Sequence, residues 1–388
     1  MWFFRSPEIA FGQFALDHLT TIQGSRALVI TDENIVKLGF ADLVKKKLAE
    51  AGIETGVFAE VEPDPSLQTA QRAAREANAF QPDWIIGLGG GSCMDAAKAA
   101  WFLYERPDME LRNLTPFETL GLRAKARLVA IPTTSGTGSE ATIFSVLTDT
   151  DEQRKMGLGS GELVPDLAIV DPVFTMNLPP QITADTGMDV LTHAVEAYSC
   201  TWGNDFTEGL CLKAIQLAFD YLPRAYENGA DDPLAREKMH NAATIAGLGF
   251  GNSFAALAHA LGHALGTAFH TPHGRAVGLF LPYTVEFAAN GGEGCYGEIA
   301  RFLGLPASDD EEGAASLVDA IRTLMRRIGL PATVRELGIS QEAYEQAMPA
   351  LIDNTETDTQ MVSSCRIPDT HEVEKLFRYA YEGRPVDF

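Results

Sequence analysis

Asp83-Trp-Ile-Ile-Gly-Leu-Gly-Gly-Gly-Ser92 runs an apolar strand straight into a glycine turn, and helical periodicity follows it. An apolar, β-prone run stopped by glycines and followed by a helix is one half of a βαβ unit. The same pattern recurs on both sides. Arg26-Ala-Leu-Val-Ile-Thr31 predicts a strand ending at Asp32, with a helix over 34–51. Gly56-Val-Phe-Ala59 predicts another, stopped by Pro63-Asp64-Pro65, with a helix over 66–80. Arg127-Leu-Val-Ala-Ile131 and Leu167-Ala-Ile-Val170 predict two more strands. Strands alternating with helices imply a parallel sheet with helices on its faces, and ligands bind at the carboxyl ends of such strands.

Beyond about residue 175 strand patterns give way to Ala- and Leu-rich helical segments, at 184–200, 206–228, 233–250, 253–269, 275–290, 295–303, 312–328 and 371–382. Pro179-Pro180 marks the seam. The expected organisation is an α/β domain over 1–177 and an all-helical domain over 178–388, a division that suits the length of 388 residues.

Hydrophobic residues make up 46% of the chain and charged ones 21%, enough for well-buried cores. The net charge of −23 repels phosphate backbones and anionic lipid, so neither nucleic acid nor a membrane surface is an expected partner. Its plainest reading is solubility. The five cysteines include no Cys-x-x-Cys pair, which argues against a thiolate zinc site or a disulfide framework. Met1 to Phe4 is apolar but meets Arg5 and Pro7, too short for a signal-peptide core. No run approaches the roughly 20 apolar residues of a membrane span. The expected location is the cytoplasm.

Gly89, Gly90, Gly91 and Ser92 lie between strand and helix, with Asp95 and Lys98 one turn further on. Glycines let the backbone approach a phosphate, and a helix start offers unpaired N–H groups with partial positive charge, so a pyrophosphate suits this loop. A tight turn without a ligand is the competing reading of a lone glycine run. The pattern is not Gly-x-Gly-x-x-Gly. Asp32, at the end of an earlier strand, is instead placed to accept hydrogen bonds from an adenosine ribose; its charge would repel a 2′-phosphate and favour NAD(H) over NADP(H). It could equally be a turn or helix-capping residue. A second loop, Pro132-Thr-Thr-Ser-Gly-Thr-Gly-Ser-Glu140, follows the strand at 127–131 and packs hydroxyls and amides densely enough for a phosphate or a nicotinamide carboxamide.

Asp189 and His193 stand at i, i+4 in a helix that Thr183, Asp185 or Thr186 is placed to cap, on one face and able to share a cation. His259 and His263 repeat that spacing in a small-residue, apolar segment, and His270 and His273 follow. Four of the eight histidines thus fall within residues 259–273. Imidazole and carboxylate donors suit Fe(II), Zn(II), Co(II) or Ni(II). Spacing alone does not choose among the four imidazoles.

Four segments carry a resemblance to a known family: Gly89-Gly-Gly-Ser-Cys-Met-Asp95, Pro132 to Glu140, Gly187-Met-Asp-Val-Leu-Thr-His-Ala-Val-Glu-Ala197, and His259-Ala-Leu-Gly-His263 with Thr271-Pro-His-Gly274. In order and spacing they resemble the iron-containing alcohol dehydrogenases, the group of lactaldehyde reductase and 1,3-propanediol dehydrogenase. The resemblance implies a dehydroquinate synthase-like architecture: a dinucleotide-binding α/β domain followed by an all-α metal-binding domain. It implies a metal, Fe(II) or another divalent ion, on Asp189, His193, His259 and His273, with His263 beside metal and nicotinamide as the candidate proton relay. It further implies that Asp32, Gly91, Ser92, Asp95, Thr133, Thr134, Ser135, Gly136 and Thr137 line the dinucleotide, with Lys155 on a ribose and Asp64 where relatives often carry an asparagine near the cofactor. Ser363-Ser-Cys-Arg-Ile-Pro368 departs from the Asn-Pro-Arg tripeptide of many members. The implied reaction is hydride transfer between short-chain primary alcohols or diols and nicotinamide, by a homodimer or larger homo-oligomer.

Three other readings compete. A glycerol dehydrogenase- or maleylacetate reductase-like enzyme shares the two-domain plan. A lyase of the dehydroquinate synthase kind needs lysines and arginines to grip a phosphorylated substrate, and the apolar metal segments lack them. A nucleotide- or metal-binding module would explain the glycine loop or the histidines, but not both.

Overall fold

The computed structural model describes residues 3–114, 119–150 and 154–388, and these divide into two compact units, Met1–Asn177 and Leu178–Phe388. Met1 and Trp2 of the apolar start lie outside the described residues.

The first unit contains β1 (Glu8–Phe11), β2 (Arg26–Ile30), α1 (Glu33–Lys37), α2 (Phe40–Glu50), β3 (Glu54–Phe58), α3 (Leu67–Phe80), β4 (Trp84–Gly89), α4 (Gly91–Glu105), β5 (Arg127–Pro132), β6 (Phe144–Asp149), β7 (Arg154–Gly159) and β8 (Leu167–Val170). Six strands form one sheet in the order β1-β8-β5-β4-β2-β3, every pair parallel. The central strand β4 is buried along its whole length, as befits a parallel strand covered on both faces. Its side chains alternate. Trp84, Ile86 and Leu88 join Val44 and Leu48 of α2, while Ile85 joins Ala70 of α3 and Trp101 of α4. Each such side chain taken from water contributes about 1.5–3 kcal/mol.

Three features of this unit differ from the sequence expectation. The single helix expected over 34–51 is two, because Gly39 adopts a left-handed conformation (φ 77°) between α1 and α2. β1, which no strand signal announced, pairs in parallel with β8 at the sheet edge. β6 and β7 form a separate antiparallel pair.

The second unit is helical throughout: α5 (Pro180–Ser199), α6 (Asp205–Asn228), α7 (Pro233–Phe250), α8 (Leu257–Phe269), α9 (His273–Asn290), α10 (Tyr296–Phe302), α11 (Asp310–Arg327), α12 (Gln341–Glu356) and α13 (Thr370–Glu382). α5 starts earlier than expected, with Pro180 at its first position, where a missing N–H costs nothing. Thr183, Asp185 and Thr186 are therefore inside the helix and do not cap it. α5, α6, α7 and α11 enclose one apolar core, and α8, α9, α12 and α13 a second.

Candidate functional site

In the first unit the chain runs from β2 to β3 in one direction and through β4, β5 and β8 in the other. The strand order therefore reverses between β2 and β4, the place where open α/β sheets leave a crevice for ligands at their carboxyl ends. Asp32 follows β2 and the glycine loop follows β4, so both lie at that point. Thr31 Oγ1 donates to the Leu88 carbonyl at 2.8 Å, and Thr133 N to the Gly89 carbonyl at 2.9 Å, which ties the loops after β2, β4 and β5 together.

No side chain caps α4, whose N-cap is Gly90. Its first N–H groups are thus open to an anion, with the helix dipole behind them. Gly89 sits at φ 149°, and a Cβ on Gly91 would lie 2.8 Å from Thr137 Cγ2. The glycines let the two small-residue loops touch.

The charged groups around these loops are engaged. Asp32 Oδ1 caps α1 by accepting from Asn34 N and Ile35 N, while Oδ2 receives Cys93 Sγ at 3.4 Å. Asp95 accepts from Ser139 Oγ at 2.7 Å and from Val146 N at 3.0 Å, so it braces the second loop rather than facing outward. Burial raises its carboxyl above the usual range. Asp64, left-handed at φ 54°, pairs with Lys155 at 2.6 Å, bringing two expected cofactor residues together. Ser92, Thr134 and Thr137 are half-buried; Thr133, Ser135 and Gly136 are buried.

Lys98 was not among the expected site residues, yet it organises the second loop. It is wholly buried and donates to the carbonyls of Ser139, Thr142 and Phe144 at 2.7–3.0 Å. Burial pulls its ammonium down to about 8, against Asp95 and Glu140, which favour the charge.

In the second unit Asp189, His193, His259 and His273 each offer one donor atom, all within 4.8 Å of one another. Asp189 Oδ1 lies 3.3 Å from His273 Nε2, 3.5 Å from His193 Nδ1 and 3.8 Å from His259 Nε2. Asp189 and His193 occupy successive turns of α5; His259 is in the first turn of α8, and His273 opens α9. Two contacts dock the start of α9 on α5. Arg275 forms a two-pronged pair with Asp185, both contacts at 2.9 Å, and a Cβ on Gly274 would collide with the Asp185 carbonyl oxygen. The Gly that follows His273 is thus a requirement of close packing.

Asp189 Oδ1, His193 Nδ1 and His259 Nε2 are buried without a hydrogen-bond partner among the described residues. Burial opposes the charge on Asp189, but the imidazoles outweigh it and hold the carboxyl well below its usual range. Burial pushes His193 down to about 3. Burial also opposes charge on His259, where Glu196 and Asp189 prevail and raise it to about 9. His193 stacks on Phe250, ring centroids 4.0 Å apart.

The structure separates the four clustered histidines. His270 is exposed and closes α8 in a left-handed conformation (φ 53°), away from the donor cluster. His263 stacks against His273 at 5.2 Å, and its Nδ1 is held by Asp358 Oδ2 at 2.7 Å. Glu196, seven residues beyond Asp189, meets His259 Nδ1 at 2.5 Å. Neither Glu196 nor Asp358 was an expected site residue. Glu196 had a readable signal, since Asp189, His193 and Glu196 at i, i+4 and i+7 share a helical face. Asp358 had none. The departing segment supplies Ser364, Cys365 and Arg366 to a cavity of about 20 Å³ that Glu196 also lines, room for one water.

One carboxylate and three imidazoles converging in a helical unit, with glycine loops at the switch point of a parallel sheet, are the parts of a metal-dependent nicotinamide oxidoreductase. The chain belongs to the iron-containing alcohol dehydrogenase family. The family model "Iron-containing alcohol dehydrogenase" matches residues 6–172, and "Fe-containing alcohol dehydrogenase family, C-terminal" matches residues 183–381. The chain is 38% identical to an NADPH-dependent butanol dehydrogenase of Clostridium saccharobutylicum over 390 residues, 100% of both chains. It is 40% identical over 385 residues to an aldehyde-alcohol dehydrogenase of Streptococcus pneumoniae, a match covering 92% of this chain and 43% of that longer protein. A sulfoacetaldehyde reductase from Bifidobacterium kashiwanohense, solved in complex with NAD+, superposes with a TM-score of 0.85 at 27% identity over 98% of each chain.

Proposed function

We propose that this alcohol dehydrogenase catalyses reversible hydride transfer between short-chain primary alcohols or diols and NAD(H), with the metal on Asp189, His193, His259 and His273 and the nucleotide in the α/β domain. The observation that carries the reading is the trio of partnerless buried atoms, Asp189 Oδ1, His193 Nδ1 and His259 Nε2. Leaving such atoms unsatisfied is costly, and a divalent cation satisfies them together with His273 Nε2. Fe(II) is the proposed ion, with Zn(II) as an alternative the same donors accept. Such an ion supplies Lewis acidity toward an alcohol or carbonyl oxygen. The nicotinamide supplies the hydride acceptor or donor.

The protein's own residues bind, orient and move a proton. The uncapped start of α4, Gly90 to Ser92, receives the pyrophosphate, and Thr133 to Thr137 hold the nicotinamide end. Asp32 Oδ2 and Lys155 serve the riboses, while Asp95 and Lys98 keep the loops in place. His263, held at Nδ1 by Asp358, presents Nε2 to take the alcohol proton. The charge of Asp32 supports NAD(H) over NADP(H). The NADPH dependence named for the Clostridium relative supports the second reading, NADP(H). The resemblance supports a homodimer or larger assembly, and the five unpaired cysteines support a cytoplasmic location.

The test is a panel of C2–C6 alcohols and aldehydes with protein loaded with Fe(II) or Zn(II), followed at the NADH absorbance with and without chelator. Alcohol-dependent NADH formation that the chelator abolishes is expected. Protein that takes up neither ion, or loaded protein that turns over none of the panel, overturns the proposal.

A further inference from the structure

We infer that Glu196 is a positioning residue for the metal cluster, locking His259 in the tautomer that aims Nε2 at Asp189. The inference rests on the metal reading above. Glu196 lies on α5 and is 4% exposed. Its Oε2 receives His259 Nδ1 at 2.5 Å and Ala256 N at 3.1 Å, and its Oε1 receives Ala258 N at 2.5 Å. All three donors belong to the start of α8, which has no side-chain cap of its own. One carboxylate from α5 therefore caps α8 and orients the imidazole that α8 carries.

The tautomer follows from the chemistry of the pair. An ionised carboxylate only accepts, so in the neutral ring, the form a cation binds, the proton belongs to Nδ1 and the Nε2 lone pair is left for the cation. His259 Nε2 is one of the partnerless buried atoms, 3.8 Å from Asp189 Oδ1. The two further N–H donors fix the carboxylate, so the imidazole cannot turn without breaking a three-bond arrangement. Outer carboxylates of this kind typically govern metal affinity by 10- to 100-fold.

Glu196→Gln keeps the shape but offers one carbonyl oxygen and one NH₂, so at least one of the three N–H donors must face another donor. The experiment measures the Zn(II) dissociation constant by competition with a chromogenic chelator in four proteins: wild type, Glu196→Gln, His259→Ala and the double variant. Glu196→Gln is expected to raise the constant about 10- to 100-fold in the wild-type background. In the His259→Ala background it is expected to change it by no more than about twofold, because the residue it acts through is gone. Equal losses in both backgrounds would make Glu196 a plain helix cap and overturn the inference, as would unchanged affinity in the single variant. A wild type that binds no Zn(II) sinks the metal reading itself, a distinguishable failure. Should circular dichroism show Glu196→Gln unfolded, Glu196→Asp, which retains the charge but shortens the reach, enters the same cycle under the same criteria.

Discussion

Around the glycine loop of the N-terminal unit the carboxylates are taken: Asp95 by Ser139 and Val146, Asp64 by Lys155, and Asp32 by the start of α1. In the C-terminal unit Asp189 Oδ1, His193 Nδ1 and His259 Nε2 are left without hydrogen-bond partners among the described residues and face one another. One place presents mostly backbone, with most of its charged side chains holding loops; the other presents the side chains themselves. A dinucleotide is long and polar and suits the first arrangement. A small cation suits the second. The N-terminal site should therefore yield to changes in its braces, and the C-terminal one most of all to changes in its donors.

The largest effect is expected at a donor. Asp189→Asn removes the charge that the three imidazoles surround; metal content should fall to background and turnover by on the order of 10³-fold. Elemental analysis with steady-state rates checks this, and a variant that keeps its metal would break the contrast between the units. Next comes a brace. Lys98→Met removes the buried ammonium that donates to the Ser139, Thr142 and Phe144 carbonyls, and should cost the N-terminal unit about 3–5 kcal/mol by denaturant titration. The nucleotide KM should rise while metal affinity stays at the wild-type value. Smaller again is Asp32→Asn, which keeps a good N-cap but removes the charge. The NADP-to-NAD ratio of kcat/KM should rise about tenfold, corresponding to roughly 1.4 kcal/mol. An unchanged ratio would mean Asp32 caps a helix and nothing more. The smallest effect concerns thiols. Burial pushes Cys93 and Cys211 above the usual thiol range, and Cys295 is exposed. Brief iodoacetamide treatment should label Cys295 and spare both buried thiols, as read by peptide mass, with activity intact.

The strands that lead into the glycine loop and its neighbours were legible because each is a short apolar run ended by Asp, Pro or Gly. β1 was not, since it is only Glu8–Phe11 at the sheet edge, with both end residues exposed. The β6–β7 pair lies apart from the parallel sheet, and β6 alternates buried with half-buried residues, a weaker signal than a continuous apolar run. α12 was not among the expected helices; Pro349 lies inside it. At the cluster of Asp189 and the imidazoles the Asp189–His193 and His259–His263 spacings were visible. The choice among the four imidazoles was not, because it depends on where Pro272 restarts the chain as α9 after the left-handed turn at His270. Spacing puts Glu196 on the face of Asp189 and His193 but does not pair it with His259, 63 residues away, and it says nothing of Asp358, whose partner lies 95 residues away.

Three of the four donors are sealed in the helical core, whereas the His273 side chain is 34% exposed on the first residue of its helix. Loading and loss of the ion should then depend on the swing of one imidazole at a surface rather than on opening of the core. The apoprotein would fill without any opening of the core, and an ion once held would leave past that same ring.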